Sequence, residues 1–191
     1  NDPRALHITS DGSQLYMTGL DNTSVYQYKL TTPWDISSLS YAVATSVAAQ
    51  ATALSGVHVH PDGTHMYITE QNRAIYEYSL STPFDIGTSE YVSTMSLSGS
   101  PNPSTRGIQF SPDGLAIYVA RYNGGVYKSD LDTPWDISTA SPVSIFDDSS
   151  RDNLLVDISV SANGNYIYTV GSENNSIYQY SVNTMTPALF F

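Results

Sequence analysis

The amino-acid sequence predicts an all-β fold, a β-propeller of four four-stranded antiparallel blades. A motif of about fifty residues occurs four times, with the glycines of its turn spaced 51, 51 and 50 residues apart. Tyr, Thr, Val and Ser, which favour strands, are abundant, and tyrosine alone accounts for 15 residues. Short segments alternate apolar and polar residues, as half-buried strands do. Such a repeat cannot bury both of its faces alone, whereas radial stacking of four copies covers them.

A glycine turn near the start of each repeat predicts a hairpin between its first two strands. Asp, Asn and Gly tolerate a positive φ, which tight hairpins require. The four turns are Ser10-Asp11-Gly12, Pro61-Asp62-Gly63, Pro112-Asp113-Gly114 and Ala162-Asn163-Gly164. The first strand, strand A, is predicted at residues 6–9, 57–60, 108–111 and 158–161.

Strand C, the third strand of each repeat, has the clearest period of two. In the first repeat its two predicted faces are Tyr26, Tyr28 and Leu30 on one side and Val25, Gln27 and Lys29 on the other. A Pro-aromatic-Asp loop follows, where the missing N–H of proline interrupts no ladder. The aromatic ring is predicted to fix the loop on the sheet, and the aspartate to accept backbone N–H groups. The three full copies are Thr32-Pro33-Trp34-Asp35-Ile36, Thr82-Pro83-Phe84-Asp85-Ile86 and Thr133-Pro134-Trp135-Asp136-Ile137.

The repeats define one propeller domain over residues 1–191, with blades at about 1–52, 53–103, 104–153 and 154–191. The fourth Pro-aromatic-Asp loop is degenerate, and the last strand of that blade is predicted at 186–191. Only five residues precede the first strand A, so the strand exchange that often joins first and last blades is not expected. Two arrangements follow, a closed four-bladed ring or an arc completed by another chain or subunit.

The Ser111-Pro112-Asp113-Gly114 turn, followed by Tyr118-Val119, resembles the PDG-type and YVTN (lactonase-like) propeller repeats. The resemblance covers nearly the whole chain and implies the propeller fold. It also implies a lactonase-like or other hydrolase, with a site at the mouth of the central channel, as an alternative function.

Composition excludes several classes of partner. The net charge is −11 with only seven Lys and Arg residues, which argues against nucleic acid and anionic membranes. The chain contains no run of 18 apolar residues, so insertion into a membrane is not expected. The chain has no cysteine, so it forms no disulfide or thiolate metal site. We expect no metal and no cofactor.

Candidate binding residues come from strand A and from the one or two residues before it, because this strand lines the axis of a propeller. They are Arg4, His7, His58, Arg106, Gln109 and Asp157. A histidine beside an acid could perform general acid–base chemistry, and polar lining of a solvated channel is the alternative interpretation. Two sequons predict glycosylation at Asn22 and Asn174 if the protein is secreted by a eukaryote.

The leading hypothesis for function is a non-enzymatic extracellular or surface module for binding or assembly, on a cell or a virion. Its expected partners are protein, including further copies of the chain through the terminal blades, or carbohydrate. No repeat carries an insertion that could hold a catalytic centre, so no catalytic residue is assigned. A third hypothesis is a fragment of a larger bacterial surface or phage appendage propeller.

Overall fold

The computed structural model of the chain describes residues 2–20, 22–71, 74–97, 104–142, 144–146 and 151–183. These residues form fifteen β-strands and three short 3-10 helices, with no α-helix among them. The strands build four antiparallel sheets, which confirms the predicted propeller-type fold.

Blades 1 to 3 each contain four strands in sequential order. Blade 1 consists of β1 (Pro3–Ile8), β2 (Gln14–Gly19), β3 (Asn22–Leu30) and β4 (Leu39–Ser46). Blade 2 consists of β5 (Leu54–Val59), β6 (His65–Glu70), β7 (Ala74–Leu80) and β8 (Ser89–Ser96). Blade 3 consists of β9 (Thr105–Phe110), β10 (Ala116–Arg121), β11 (Val126–Asp130) and β12 (Ser144–Phe146).

Blade 4 consists of β13 (Leu155–Val160), β14 (Tyr166–Gly171) and β15 (Ser176–Ser181). The fourth strand predicted for it at 186–191 lies outside the described residues. The 3-10 helices Ile36–Ser38, Ile86–Thr88 and Ile137–Thr139 each follow the Pro-aromatic-Asp loop of blades 1, 2 and 3.

The chain divides into two compact units, Asn1–Thr94 and Met95–Phe191. In the first unit, Tyr16 and Val25 of blade 1 belong to the same apolar cluster as Val57 and Ile68 of blade 2. The second unit repeats this packing between blades 3 and 4, with Tyr118, Ala120 and Val126 against Leu155, Ile158 and Ile167. We call the face by which blades 1 and 3 contact the second blade of their own unit the trailing face, and we use the same name for the equivalent face of blades 2 and 4. The opposite face of each blade is the leading face.

The predicted bounds of strand A were wrong by a constant offset. Each strand begins three residues earlier than predicted and ends one residue earlier. The pairing with the second strand shifts register near the beginning of strand A, between Leu54 and Gly56 for example. At such a bulge one residue has no partner on the neighbouring strand, and the strand continues past it. In the sequence this position looks like the beginning of the strand. At the other end, Gly12 N donates to Thr9 O (2.8 Å), so Thr9 already belongs to the turn.

The Pro-aromatic-Asp loop folds back onto the hairpin of its own blade, as predicted. Trp34, Phe84 and Trp135 all adopt positive φ values of 64–66°. The rings of Trp34 and Phe84 lie against Gly12 and Gly63, where a Cβ in place of the glycine hydrogen would lie 2.5 Å from ring atoms. The aspartate caps the following 3-10 helix: Ser37 N donates to Asp35 Oδ1 at 2.9 Å. In the hairpin itself only the glycine, and not the preceding aspartate, has a positive φ.

We predict that Gly63→Ala destabilises the protein by about 2–4 kcal/mol, because the new methyl group meets the Phe84 ring as well as an unfavourable positive φ. Gly164→Ala is the matched control. Gly164 has a similar φ of 70°, but its nearest neighbour is Pro112 Cδ at 3.3 Å. Urea unfolding of both variants measures the difference, and equal losses of stability would contradict a role for the aromatic ring.

Candidate functional site

Gln27 and Tyr16 of blade 1 hold the Pro-Phe-Asp loop of blade 2 through hydrogen bonds, and we call this site the loop seat. Gln27 is buried on the trailing face of blade 1, opposite Tyr16 in the ladder. Its Nε2 donates to Phe84 O at 2.7 Å, and its Oε1 accepts from Ile86 N at 3.1 Å. Tyr16 Oη donates to the same Phe84 carbonyl at 2.9 Å. A primary amide is suited to this seat because it donates and accepts at the same time.

Burial makes this seat energetically important. An unpaired backbone carbonyl or N–H in such a place would cost about 1–3 kcal/mol. Desolvation, followed by the negative charges of Asp11 and Asp85, raises the pKa of Tyr16 above its usual range, so its hydroxyl stays protonated and can donate. The loop is therefore held by two donors and one acceptor from the preceding blade.

The position of Gln27 varies among the repeats. Its counterparts are Glu77, Lys128 and Gln179, each at the same place in strand C. Glu77 Oε2 accepts from the Ser93 hydroxyl at 2.7 Å, within its own blade. Gln179 is the counterpart that retains the amide, and it lies half-exposed opposite Tyr168 on the trailing face of blade 4.

A cavity of about 390 Å³ lies between blades 3 and 4 in the second unit. Its walls include Tyr118 and Lys128, the counterparts of Tyr16 and Gln27, and Gly164 and Val182 from blade 4. It therefore lies where blade 3 presents the equivalent of the first unit's loop seat. The sequence of the fourth repeat lacks the Pro-aromatic-Asp motif that takes this seat in the first unit.

The leading face of blade 1 exposes apolar side chains whose counterparts are buried. Leu6 is 60% exposed, whereas Val57, Ile108 and Ile158 are all buried. Ile36 is 72% exposed, whereas Ile86 and Ile137 are buried. Trp34, at the centre of the Pro-Trp-Asp loop, is 64% exposed.

The trailing face of blade 4 is exposed in the same way. Ile177 is 74% exposed, whereas its counterparts Val25, Ile75 and Val126 are buried. Val170 is 38% exposed, whereas Thr18, Thr69 and Ala120 are buried. The leading face of blade 1 in the first unit and the trailing face of blade 4 in the second unit therefore both carry exposed apolar side chains. Soluble proteins usually cover apolar surface of this kind with a partner.

Three of the predicted channel residues, Arg4, His7 and His58, lie in the first unit. His7 and His58 come together from β1 and β5, with ring centroids 4.7 Å apart in an edge-on arrangement. Burial lowers the pKa of His7 to about 4. Burial, followed by His7 and His60, lowers the pKa of His58 well below its usual range. Arg4 is exposed and forms an ion pair with Asp2.

Arg106, Gln109 and Asp157 lie in the second unit. Arg106 is buried; its Nη1 donates to Ser104 Oγ and to Thr105 O at 3.0 Å, and its guanidinium lies 4.4 Å from the centroid of the Tyr122 ring. Gln109 is half-buried on β9.

Asp157 is exposed, yet its carboxylate rests against the backbone of the neighbouring blade. A Cβ on Gly107 would lie 1.9 Å from Asp157 Oδ1, so glycine is needed there. The same oxygen accepts from Ile158 N at 2.9 Å. Partial loss of solvent around the carboxylate raises its pKa, against the opposing effect of this hydrogen bond.

The two predicted sequons differ in their surroundings. Asn22 is the first residue of β3. Asn174 is exposed in the turn before β15, and its side-chain amide donates to Arg151 O. Within the described residues, no group of three or more His, Asp or Glu side chains could hold a metal ion. No helix in the described part of the chain is long and apolar enough to cross a membrane.

No protein-family model matches the sequence, and neither does any curated protein. The fold is similar to that of solved propeller-like structures. One is hydrazine synthase of Kuenenia stuttgartiensis (TM-score 0.66, 15% identity); the alignment covers 98% of this chain and 48% of that chain. Another is a putative 6-phosphogluconolactonase of Bacteroides fragilis (TM-score 0.69, 16% identity); here the alignment covers 97% of this chain and 52% of that chain. The chain thus spans about half the length of these structures, and at such identities the likeness shows the fold alone.

Sequence reasoning missed the loop seat, although it placed Gln27 on the correct face. The signal was available in the repeat alignment, because Gln27 and Gln179 share an amide where the inner repeats carry charges. The hydrogen bond from the Tyr16 hydroxyl to Phe84 O can be recognised only from the three-dimensional structure.

We predict that Gln27→Ala lowers the free energy of unfolding by about 3 kcal/mol, because it removes one donor from Phe84 O and the acceptor for Ile86 N. The control is Gln179→Ala, which removes the same side chain from an uncovered face and should cost less than about 0.5 kcal/mol at low protein concentration. Urea unfolding measures both. Similar losses in the two variants would show that Gln27 contributes no more than a surface residue.

We predict that the protein becomes less stable as the pH decreases, because folding lowers the pKa of His7. The unfolded histidine binds a proton near pH 6.5, and the folded one only near pH 4. The stabilisation is therefore fully present above about pH 6.5 and is lost towards pH 4, by up to about 3 kcal/mol. His7→Gln introduces the residue found at Gln109 and should flatten the pH profile of urea unfolding between these values. Parallel profiles for the two proteins would contradict this.

Proposed function

We propose that this chain is a non-enzymatic assembly module that acts by docking its two terminal blade faces onto protein partners. The observation that carries the proposal is the contrast in exposure between equivalent positions. Leu6, Ile36 and Ile177 are exposed, while their counterparts in the other blades are buried. Repeat proteins shield such outer apolar faces with polar caps or by further packing, so the exposed side chains of blades 1 and 4 favour further packing.

The free energy gained by burying these faces would be large enough to support binding. Full burial of a Leu or Ile side chain stabilises by about 1.5–3 kcal/mol, and three such side chains are exposed here together with Trp34. Part of this gain is lost to the entropy of association, so the faces need complementary shape as well. The loop seat of the first unit shows which shape complements a trailing face.

We place the module outside the cell or on a cell or virion surface, with protein or carbohydrate as its partner class. The absence of cysteine and the charge of −11 are compatible with this location and disfavour nucleic acid. The exposed rings of Trp34, Tyr41 and Tyr91 would also suit stacking on sugar faces.

A lactonase-like hydrolase is the second candidate, favoured by the fold that the chain shares with the putative 6-phosphogluconolactonase. His7 and His58 would then form its centre in the first unit. Their low pKa values keep both imidazoles neutral at pH 7, but a base with a pKa near 4 accepts a proton only weakly. A third candidate, a part of a larger bacterial surface or phage appendage propeller, is compatible with the coverage of about half of each similar chain.

We predict that the protein associates above the mass of one chain, 20.8 kDa, as its concentration rises. Size-exclusion chromatography with light scattering measures this mass. Added salt should favour association, because it screens the repulsion between chains of charge −11. A protein that remains monomeric at all concentrations and binds no partner through these faces would contradict the assembly proposal.

We predict that the purified protein hydrolyses lactones and esters no faster than buffer does. A histidine pair with strongly lowered pKa values supplies little base catalysis at neutral pH. His58→Ala tests any activity that is found. Hydrolysis by the wild type that disappears in this variant would favour the hydrolase over the assembly module.

A further inference from the structure

We infer that the occupant of the trailing face of blade 4 is the Pro-Trp-Asp loop of a second copy of this chain, which forms a head-to-tail pair. This inference rests on the proposed assembly function and adds the partner and the contact. The head is the leading face of blade 1, with Leu6, Trp34 and Ile36. The tail is the trailing face of blade 4, with Tyr168, Val170, Ile177 and Gln179.

The polar part of the contact follows from the loop seat of the first unit. There, the amide of Gln27 binds the carbonyl of the loop aromatic and the N–H of the isoleucine two residues later. Gln179 provides the same amide at the equivalent place, next to Tyr168, the counterpart of Tyr16. In a second copy the matching backbone groups are Trp34 O and Ile36 N. They lie in a loop with the same φ and the same aspartate cap as the loop of Phe84.

The apolar part of the contact is complementary too. At the seat in the first unit, Val25 and Ile86 belong to one buried cluster. Ile177 corresponds to Val25 and Ile36 corresponds to Ile86, and these two are the most exposed apolar residues in the described part of the chain. One head-to-tail contact would bury both, together with Leu6 and Val170. The first unit therefore supplies a template for the amide contact and for the packing of Ile177 with Ile36 and Leu6.

Two copies together have a number of blades that propellers adopt. Propellers typically contain four to eight blades, and two copies with four sheets each bring eight. The chain spans 48% and 52% of two similar solved chains, so two copies together have about the length of one of them. In a pair with two-fold symmetry the head of each copy meets the tail of the other, so both faces of each copy are covered.

Complementary blocking tests the inference. Ile36→Arg blocks the head and Ile177→Arg blocks the tail, and both residues are exposed, so each variant should fold as the wild type does by circular dichroism and thermal unfolding. Each variant alone should be monomeric by light scattering, because every contact needs one intact head and one intact tail. An equimolar mixture should form dimers again through the intact tail of one variant and the intact head of the other. These dimers should be weaker than those of the wild type, because the second contact of the pair brings the two introduced arginines together. Val92→Arg is the control, because Val92 is an exposed apolar residue on β8 that belongs to neither the head nor the tail, and this variant should dimerise like the wild type.

The outcomes separate this inference from the broader proposal. A wild-type protein that stays monomeric at all concentrations overturns the inference, and with it the self-assembly form of the proposed function. Dimers that persist in either blocked variant, or blocked variants that do not complement each other, overturn the head-to-tail contact but leave assembly through another surface standing. Restored dimers in the mixture support the inference, since a contact between identical faces cannot be rescued in this way.

Gln179→Ala tests the polar contact separately. It should weaken dimerisation by about tenfold or more, because it leaves Trp34 O and Ile36 N of the other copy without their partner at a buried site. Gln50→Ala is the control, because it removes the same amide from the first unit, where Gln50 Oε1 accepts from Tyr78 Oη at 3.1 Å and lies on neither the head nor the tail. An unchanged dissociation constant in Gln179→Ala would overturn the proposed recognition by the amide.

Discussion

The structure depends on one constraint: each blade has two apolar faces and can cover neither by itself. In the first unit the covering is done partly by side chains and partly by a backbone loop, which Gln27 and Tyr16 hold through the Phe84 carbonyl. The loop can serve in this way because its aromatic residue accepts a positive φ and lays its ring on the hairpin glycine. In the first unit, the hairpin glycine thus leaves room for the aromatic ring of its own blade, and the glutamine of the preceding blade binds the carbonyl of that aromatic residue.

Much of this could be predicted from the sequence, because the repeat makes each element visible several times. The period, the hairpin glycine, the alternation in strand C and the aspartate cap are all local properties, and the structure agrees with them. The bounds of strand A were wrong because the bulge near Gly56 needs a partner strand to be recognised. The seat around Gln27 was missed because its partner, Phe84, lies 57 residues away along the chain. A single sequence carries no direct signal for such a pair.

The polar residues of strand A allow two interpretations, a catalytic site or a structural lining. His7 and His58 do meet, as residues at equivalent places in neighbouring repeats should. Their burial removes the charged form at neutral pH, which is unfavourable for acid–base chemistry and favourable for packing beside Tyr16 and Tyr67. Arg106 is likewise committed to Ser104, Thr105 and the ring of Tyr122. These contacts favour a structural role over a catalytic one.

The residue type at the position of Gln27 differs between the blades in a way that favours assembly. A carboxylate cannot donate to a carbonyl, and an ammonium cannot accept from an N–H, so Glu77 and Lys128 cannot reproduce the contacts of Gln27. Lys128 lines a cavity where the following repeat lacks the Pro-aromatic-Asp motif, so an amide there would have no such loop to bind. Gln179 keeps the amide on a face whose apolar residues Val170 and Ile177 are exposed. A residue type that fits one specific backbone geometry, on a face whose apolar neighbours are exposed, is most simply explained by a loop of that geometry arriving from another molecule.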